Sequence, residues 1–359
     1  MTPKPKVCVC MAAYNAGRFL NATLASLGEQ TLTNYELIVV DDGSTDNTWE
    51  IICDHSLKDQ RIKASRNETN RGLVVTRNRC LNQCSAPLIA IADADDIFYP
   101  QRLSEQARFM EQHPEIGVLG TAVDYIDQNG CRQATGEDVY LTDSDIRFFL
   151  MLGPCIVNTT TMYRREALLG SGGYREGFDV GAEDYELWAR LSSLTQFANL
   201  PTPLVAVRRH FGSITGRSDA YLAKLFLVAS SLLSGYFGHA ITDREARDLI
   251  LLFWGGLRVD ADCRPAVRLA SALQSTGYKV ETADTMRRFS QMLAEALWRE
   301  ARNRIYAQRR LSLALACRAI RIRPSLVAHP GFPKYIVRGM TPGFARVQIK
   351  RALQRRDCC

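Results

Sequence analysis

Three closely spaced carboxylates, Asp93, Asp95 and Asp96, follow the apolar run Leu88–Ala92 in the segment SAPLIAIADADDIFYP. The apolar run is typical of a strand that is buried on both faces of a sheet. Two carboxylates about 4 Å apart repel by about 1 kcal/mol in water and by about 4 kcal/mol at an effective dielectric constant near 20. Their position at the end of a core strand therefore predicts a compensating partner, which is a cation, an arginine or a helix N-terminus.

Two further polar clusters follow earlier apolar runs of the same kind. The residues AAYN follow Val7–Met11, and DDGS follows Glu36–Val40. Amphipathic segments between the runs predict helices over Arg18–Gln30, TWEIICDHSL and Val74–Gln83, and a short strand is expected near Ile62 to Ser65. Strands that alternate with helices form a mostly parallel α/β sheet with right-handed crossovers. Ligands bind such sheets beyond the carboxyl ends of the strands, so we expect the three polar clusters to meet at one crevice.

The pattern along the chain predicts two regions. The 359 residues are 46% hydrophobic and 23% charged, which is typical of a globular protein long enough for one large or two ordinary domains. Alternating strands and helices continue to about Ser218, and beyond it the sequence is helical. We therefore expect an α/β domain over residues 1–218 and a helical region over residues 219–359.

The net charge of +7 is concentrated in the C-terminal tail. Between Ala301 and Cys359 there are fourteen Lys or Arg and one acid, a local net charge of +13 that leaves −6 for the rest of the chain. The segment RRLSLALACRAIRIRPSL forms a basic amphipathic helix that could rest on anionic lipid headgroups. Alternatively, its apolar stripe packs on the first domain and its arginines are only solvated. Nucleic-acid binding is disfavoured because no aromatic platform or recognition motif accompanies the charge.

The cysteines and the hydropathy pattern favour a cytoplasmic protein. The number of cysteines, eleven, is odd, there is no Cys-x-x-Cys pair, and Cys80 and Cys84 lack companion histidines at zinc spacing. We therefore expect reduced thiols. The N-terminus lacks a signal-peptide pattern, and no run of 18 apolar residues occurs, so we expect no transmembrane helix and at most peripheral contact with the inner face of a membrane.

Six segments in order resemble family 2 of the inverting glycosyltransferases, which have the GT-A fold. The resemblance extends over about Lys6 to Thr215, and its order matters because a lone Asp-x-Asp occurs by chance in many chains. The segments are VCVCMAAYNAGRFLNATLASLGEQT, ELIVVDDGSTDNT, NRGLVVTRNRCLNQC, IAIADADDIFYPQRL, GGYREGFDVGAEDYELWARL and VRRHFGSIT.

The resemblance implies that a nucleotide-diphosphate sugar, by default a UDP-sugar, binds in the first half of a GT-A catalytic domain, about residues 1–100. Asp42 resembles the acid that binds the base, whereas Asp41 holds the turn. Tyr14 lies where the family borders the base, and Arg77 where it contacts the nucleotide, although a solvated helix face is the other interpretation of Arg77. The donor-binding residues are thus Ala12, Tyr14, Asp42, Arg77, Asp93 and Asp95.

The resemblance also implies a divalent cation, Mn²⁺ or Mg²⁺, between carboxylate and diphosphate oxygens. Asp95 is the expected direct ligand, and His210 matches a histidine that completes the metal site in relatives. Two structural alternatives remain open. The acids could cap a helix and face Arg102, and His210 could be a hydrogen-bonded histidine at a strand end.

Asp184 resembles the catalytic base of the family. An inverting transfer needs one carboxylate to take the proton of the acceptor hydroxyl while that hydroxyl attacks the anomeric carbon. Glu183 and Trp188 are assigned to the acceptor side, in the half of the domain that spans about residues 101–218. As alternatives, Glu183 and Asp184 only complement a helix dipole, and Trp188 packs in the core.

The sequence therefore predicts an enzyme that transfers a hexosyl or N-acetylhexosaminyl group to a carbohydrate or lipid-linked sugar acceptor in polysaccharide or glycolipid assembly. Nucleic acid is not an expected partner. The alternative is an inactive sugar-nucleotide-binding or scaffold protein with the same fold. A nucleotidyltransferase is disfavoured because the loop AAYNAGRF is neither glycine-rich nor lysine-bearing.

Overall fold

A computed structural model of the protein describes residues 4–135, 139–179, 181–210, 218–254, 257, 262–275, 283–304 and 308–328. The chain divides into two units, Met1–Val228 and Ala229–Cys359. The first unit contains the mixed sheet and its flanking helices. The second is helical throughout the part that is described.

The N-terminal part of the first unit alternates strictly between strands and helices. Each predicted element is present and is longer or shorter than predicted by only a few residues. The elements are β1 (Val7–Ala13), α1 (Gly17–Gly28), β2 (Tyr35–Asp41), α2 (Thr48–Lys58), β3 (Ile62–Arg66), α3 (Leu73–Gln83) and β4 (Leu88–Asp93).

The remainder of the first unit is less regular, as the sequence indicates. A short 3₁₀ turn at Asn158–Thr160 precedes the eighth strand. The elements are β5 (Ile97–Phe98), α4 (Arg102–Gln112), β6 (Ile116–Ile126), β7 (Arg132–Thr135), α5 (Asp143–Leu150), β8 (Met162–Arg164), α6 (Arg165–Gly170), α7 (Glu183–Leu191) and β9 (Gln196–Arg208).

The strands form one sheet in the order β3-β2-β1-β4-β8-β6-β9-β5, with β7 paired to β6. Strands β1 to β4 are parallel, β8 is antiparallel to both β4 and β6, and β6 is parallel to β9. The expected mostly parallel mixed sheet is confirmed. Because β1 lies between β2 and β4, the loops after these three strands emerge side by side at one edge.

The core of this sheet explains the apolar runs in the sequence. Every residue of β2 is buried, and β1 is buried except at Ala12, because helices cover both faces. Helix α1 contributes Leu20, Leu24 and Leu27 to the core, at the spacing of one helix face. The strand ends that carry the polar clusters are therefore held by a packed core.

The turn after β2 requires a glycine. Gly43 has a φ of 71°, and a Cβ at this position would lie 2.6 Å from the carbonyl carbon of Thr69. Only glycine accommodates both the left-handed backbone and this close approach. The turn consequently packs directly on the segment that leads into α3.

Two of the cysteines correct the expectation that all thiols are reduced. Cys8 of β1 and Cys84, immediately after α3, form a disulfide with a Cα–Cα separation of 5.7 Å. Cys10 and Cys80 lie on the same faces of β1 and α3 and are free and buried. The prediction was wrong for the first pair because sequence spacing does not reveal that a strand and a helix 76 residues apart present cysteines to each other.

The helical part of the chain contains five helices among the residues that are described. One of them, α8, is long and apolar enough to cross a membrane by its length and composition, and about a third of its most apolar stretch is buried. A single helix of this kind is weak evidence, because the core helix of a soluble protein can be as long and as apolar. The helices are α8 (Asp219–Phe237), α9 (Asp243–Trp254), α10 (Arg264–Ser275), α11 (Ala283–Asn303) and α12 (Arg309–Ile322).

The apolar stripe of the basic helix α12 is buried within the second unit. Leu315, Ala316, Ala319 and Ile320 are each at most 4% exposed, and α12 packs against α11. This burial favours packing over lipid contact for the stripe, but the observed partner is α11 of the same unit, whereas the packing alternative named the first domain. Lipid contact through the tail stays a prediction, and residues 329–359 lie outside the described part of the chain.

Candidate active site

The three polar clusters meet at the carboxyl ends of β1, β2 and β4, as predicted. In the register of the sheet, Ala12 of β1 pairs with Val40 of β2 on one side and with Asp93 of β4 on the other. Tyr14, two residues further along, is 48% exposed and stands at the rim of this edge. A ligand at the edge would therefore meet the small side chain of Ala12 at the centre and an aromatic ring at its border.

The two acids after β2 have different surroundings. Asp41 is completely buried, forms an ion pair with Arg66 (2.8 Å) and accepts hydrogen bonds from Ser44, which fixes the turn as expected. Asp42 accepts from Asn67 Nδ2 (2.7 Å) and from the backbone N–H groups of Arg71 (2.8 Å) and Gly72 (3.0 Å). Asp42 thus ties the end of β2 to the start of α3, a contact that the sequence did not indicate.

Arg77 of α3 is buried between two acidic clusters rather than on a solvated helix face. Its Nη2 lies 2.8 Å from Asp93 Oδ1, and its Nη1 pairs with Oε1 of Glu183. The amide of Asn158, oriented with its oxygen toward the guanidinium, accepts from both Nη atoms at 3.2 and 3.0 Å. Burial alone would lower the pKa of Arg77, but the two carboxylates more than offset it and keep the pKa well above its usual value.

Asp95 and His210 come together from sequence positions 115 residues apart. His210 Nε2 lies 2.9 Å from Asp95 Oδ2, and the imidazole ring stacks at a tilt on Phe19 with a centroid distance of 4.9 Å. Burial raises the pKa of Asp95, and the nearby charge of Asp93 raises it further. The pairing gives the histidine a partner at the end of β9, and it puts one nitrogen and one oxygen donor side by side.

The third acid of the cluster, Asp96, is structural. Its Oδ1 accepts from the backbone N–H of Arg208 at 2.8 Å, and the side chain is 3% exposed. The Nε of Arg208 donates to the carbonyl oxygen of Asp95 at 2.8 Å. These two bonds hold the end of β9, and with it His210, against the loop after β4.

The alternative that the acids face Arg102 is not supported. Arg102 is fully buried, and its Nη2 donates to the carbonyl oxygen of Ile91 at 2.7 Å rather than to a carboxylate. Burial lowers the pKa of Arg102 to about 9. The compensating arginine for the acidic cluster is Arg77.

Glu183 and Asp184 begin α7 and point in different directions. Glu183 is 4% exposed and bonded to Arg77, and its second oxygen, Oε2, is buried without a hydrogen-bond partner among the described residues. Asp184 is half-buried, and its Oδ1 accepts from the N–H of Tyr185 at 2.6 Å. Burial, and then the charge of Glu183, raise the pKa of Asp184 from 3.8 to about 8.

The assignment of Glu183 and Trp188 to an acceptor surface needs correction. Trp188 is completely buried, and its Nε1 donates to the hydroxyl of Tyr163 at 2.9 Å, so it packs beneath the site and does not contact an acceptor. Glu183 is occupied by Arg77 and is turned inward. Of these three residues, only Asp184 is partly exposed.

The donor set at Asp95 and His210 fits a divalent cation. One carboxylate oxygen and one imidazole nitrogen suit Mn²⁺ or Mg²⁺, and the neighbouring negative charge of Asp93 favours a cation. Arg77 already neutralises Asp93, which leaves Asp95 as the better ligand of the Asp-x-Asp pair. Within the described residues no group of three ligating side chains is assembled, so a cation here would need further oxygen ligands from a substrate or from water.

Comparisons with known proteins agree with this arrangement. The family model described as glycosyl transferase family 2 matches residues 8–170. The putative glycosyltransferase EpsE of Bacillus subtilis is 33% identical over 224 residues, which cover 62% of this chain and 79% of EpsE. The chain belongs to glycosyltransferase family 2. It is a glycosyltransferase by this membership, and the family model ends at residue 170, before the helical region begins.

One further relative and one solved structure are similar to this family 2 glycosyltransferase. WfaP of Escherichia coli, a UDP-Glc:alpha-D-GlcNAc-diphosphoundecaprenol beta-1,3-glucosyltransferase, is 31% identical over 63% of this chain and 86% of its own. The structure of S. aureus TarS 1-349 with UDP-GlcNAc matches at a TM-score of 0.54 and 20% identity, covering 89% of this chain and 91% of that one. At this identity the likeness concerns the fold, and the expected GT-A fold is confirmed.

Sequence reasoning missed the residues that connect the acidic clusters to each other. Asn158 contacts Arg77, Thr159 Oγ1 accepts from the N–H of Asp93 (3.2 Å), and Asn78 binds the backbone of Tyr174 (2.7 and 2.9 Å). The polar run NTTT in front of a short strand was a usable signal for the first two. Asn78 gave none, because a polar residue on an amphipathic helix is ordinarily solvated.

The ion pairs of Arg77 predict a strong effect of Arg77→Met on stability. The substitution leaves Glu183 buried with its charge uncompensated, and breaking a buried pair in this way costs about 3–5 kcal/mol. Urea unfolding followed by tryptophan fluorescence measures the change, since Trp188 lies in the same unit. The matched control is Arg108→Met on the exposed face of α4, expected within about 0.5 kcal/mol of wild type. Equal unfolding midpoints for the two variants would contradict the buried bridge.

Proposed function

We propose that this glycosyltransferase moves a sugar from a nucleoside-diphosphate sugar to an acceptor hydroxyl by direct displacement with inversion. The observation that carries the proposal is the Arg77 bridge, which brings the acids after β4 and the acids that begin α7 into one site. Donor activation and proton removal must occur within a few ångströms of the same anomeric carbon. The bridge joins Asp93 to Glu183, and in this proposal the adjacent Asp95 and Asp184 act on the same carbon.

The donor binds, in this proposal, across the carboxyl ends of β1, β2 and β4. Tyr14 borders the base, Asp42 accepts a hydrogen bond from it, and the small Ala12 leaves room for the nucleotide to approach the backbone. Asp42 already orders the segment before α3, so a base that binds there meets a rigid acceptor group. UDP is the favoured nucleotide because WfaP, by its name, uses UDP-Glc.

Asp95 and His210 are the residues proposed to hold a divalent cation against the donor diphosphate. Such a cation supplies charge stabilisation for the departing nucleotide. The protein orients Asp95 and His210, the proposed ligands of the cation. Arg208 donates its Nε–H to the carbonyl oxygen of Asp95 and its backbone N–H to Asp96. The strand end that bears His210 is therefore fixed before any ligand arrives.

Asp184 is proposed as the general base. Asp184 is a partly exposed residue, whereas the adjacent Glu183 is buried and engaged by Arg77, so Asp184 is the better placed of the two to accept a proton from an acceptor. A pKa near 8 makes Asp184 a stronger base than an ordinary aspartate. Attack by the acceptor hydroxyl forms the new bond to the anomeric carbon as the bond to the diphosphate oxygen breaks, and the proton passes to Asp184.

The acceptor is proposed to be a carbohydrate or a lipid-linked sugar at the cytoplasmic face of a membrane. The support comes from relatives. WfaP acts, by its name, on a diphosphoundecaprenol-linked GlcNAc, and AmsE of Erwinia amylovora, 29% identical over 63% of this chain, is an amylovoran biosynthesis glycosyltransferase. The proposal covers hexosyl and N-acetylhexosaminyl transfer.

Replacement of the base should separate chemistry from donor binding. Asp184→Asn keeps the shape of the side chain but removes its basicity, so we expect turnover of UDP-glucose or UDP-GlcNAc, screened with Mn²⁺ and Mg²⁺, to fall at least about a hundredfold. The dissociation constant for UDP should change less than about threefold by calorimetry. Asp54→Asn, on the exposed face of α2, is the matched control and should retain full activity. Normal turnover by Asp184→Asn would refute the base assignment.

The raised pKa of Asp184 predicts an unusual pH dependence. The base must be ionised to act, and a pKa of about 8 leaves only about a tenth of it ionised at pH 7. kcat/KM for UDP-glucose should therefore rise with pH and level off above about 8. With a pKa near 3.8 it would be flat over this range. A profile that stays level from pH 5.5 to 9 would contradict the raised pKa of Asp184, and the turnover of Asp184→Asn would still test its role as the base.

Removal of the proposed metal ligand should abolish the metal dependence of donor binding. For Asp95→Ala we expect UDP affinity, measured by calorimetry, to be the same with Mn²⁺ and with a chelator present, because the carboxylate that joins the cation to the protein is gone. Asp54→Ala should keep the response of the wild type. Asp95→Ala that still binds UDP more tightly with Mn²⁺ would rule out the ligand role.

A further inference from the structure

The segment in front of the proposed base is fastened to one face of α3. Tyr174, Asp179 and Glu183 each contact this helix, and the helix positions they contact are Val74, Arg77 and Asn78. Positions spaced three and four apart lie on the same side of a helix. Helix α3 packs on β1 and β2, so this face is part of the rigid sheet layer.

Asn78 makes the most specific of these contacts. Its Nδ2 donates to the carbonyl oxygen of Tyr174 at 2.7 Å, and its Oδ1 accepts from the N–H of the same residue at 2.9 Å. One side chain thus provides hydrogen bonds to both the N–H and the carbonyl oxygen of Tyr174. In a loop these groups would otherwise bond to water. Gly173 has a φ of 70°, and a Cβ there would lie 2.7 Å from Asn78 Oδ1, so the glycine permits the approach.

Asp179 makes the second contact, at the N-terminus of α3. Its Oδ1 accepts from the N–H of Val74 at 3.1 Å, and Gly72, which precedes the helix, makes no side-chain cap of its own. The first N–H groups of a helix need acceptors, and a carboxylate there also favours the positive end of the helix dipole. Asp179, 105 residues away in sequence, therefore serves as the cap of α3.

Arg77 completes the set at the start of α7. Its pair with Glu183 fixes the residue next to Asp184, and its guanidinium also lies 5.4 Å from the ring centre of Tyr174. Helix α3 thus contacts Tyr174 and Asp179, which precede α7, and Glu183, which begins it. Asp184 follows directly, and its Oδ1 accepts from the backbone N–H of Tyr185.

We propose that Asn78 and Asp179 are positioning residues, which hold the segment Tyr174–Asp179 on α3 and so place Asp184 for proton transfer. The proposal rests on the assignment of Asp184 as the base. Neither residue lies among the groups proposed to touch the donor or the cation. Their loss should therefore lower kcat and leave nucleotide binding unchanged, because a base displaced by about 1 Å can lose about a hundredfold in rate.

The test compares Asn78→Ala with Asn82→Ala, the same change one turn later on α3 at a residue that is exposed. Hydrogen–deuterium exchange of peptides over residues 173–184 should be faster in Asn78→Ala than in the wild type. In Asn82→Ala the exchange of these peptides should be unchanged. With UDP-glucose as donor, kcat should fall by about tenfold to a hundredfold in Asn78→Ala, with the affinity for UDP and Mn²⁺ within about threefold of wild type. Asp179→Asn, which keeps an amide oxygen as acceptor, should lose less than Asp179→Ala.

A double variant distinguishes positioning from general loss of structure. If Asn78 acts through Asp184, Asn78→Ala should cause no further loss of turnover when combined with Asp184→Asn. Unchanged exchange of the segment, or faster exchange with an unchanged kcat, would overturn the proposal. Full activity of Asp184→Asn would instead refute the proposed base, and the exchange data would still report whether Asn78 holds the segment.

Discussion

The buried guanidinium of Arg77 is the interaction on which the site depends. Acids follow β4 and begin α7, and without a positive charge between them their mutual repulsion in a poorly solvated space would oppose the observed arrangement. Arg77 pairs with one acid from each cluster, Asp93 and Glu183, and the amide oxygen of Asn158 accepts from both of its Nη atoms. Because α3 packs on the sheet, the core fixes the position of Arg77. Arg77 in turn fixes the positions of the two carboxylates that pair with it.

This arrangement divides the acids by role. Asp93 and Glu183 are neutralised by Arg77, while Asp95 and Asp184 keep carboxylates whose pKa values are raised by burial and by those neighbours. A raised pKa marks a group whose charged form lacks compensation. For Asp95 a cation would supply that compensation, and for Asp184 the proton of an acceptor would. Within each pair, Asp93 with Asp95 and Glu183 with Asp184, the two acids therefore differ in their charge compensation because they contact different partners.

Most of the framework could be predicted from the sequence because local patterns specify it. The alternation of apolar runs with amphipathic segments indicated β1 to β4 with α1 to α3, and the polar residues after the strands indicated the edge where they meet. The contacts between distant segments could not be predicted in this way. Asn78 looked like a solvated helix residue, Trp188 like a candidate for sugar contact, and Cys8 and Cys84 like separate thiols.

The sequence by itself determined the family, the parallel sheet and the residue types available at its carboxyl edge, because hydrophobic periodicity and motif order are local properties of the chain. Only the tertiary structure decided which carboxylate pairs with which basic side chain. It paired His210 with Asp95, turned Glu183 inward onto Arg77 and left Asp184 partly exposed. The physical reason is that charge pairing and burial depend on distances between segments up to 115 residues apart, and these distances are fixed only when the core packs.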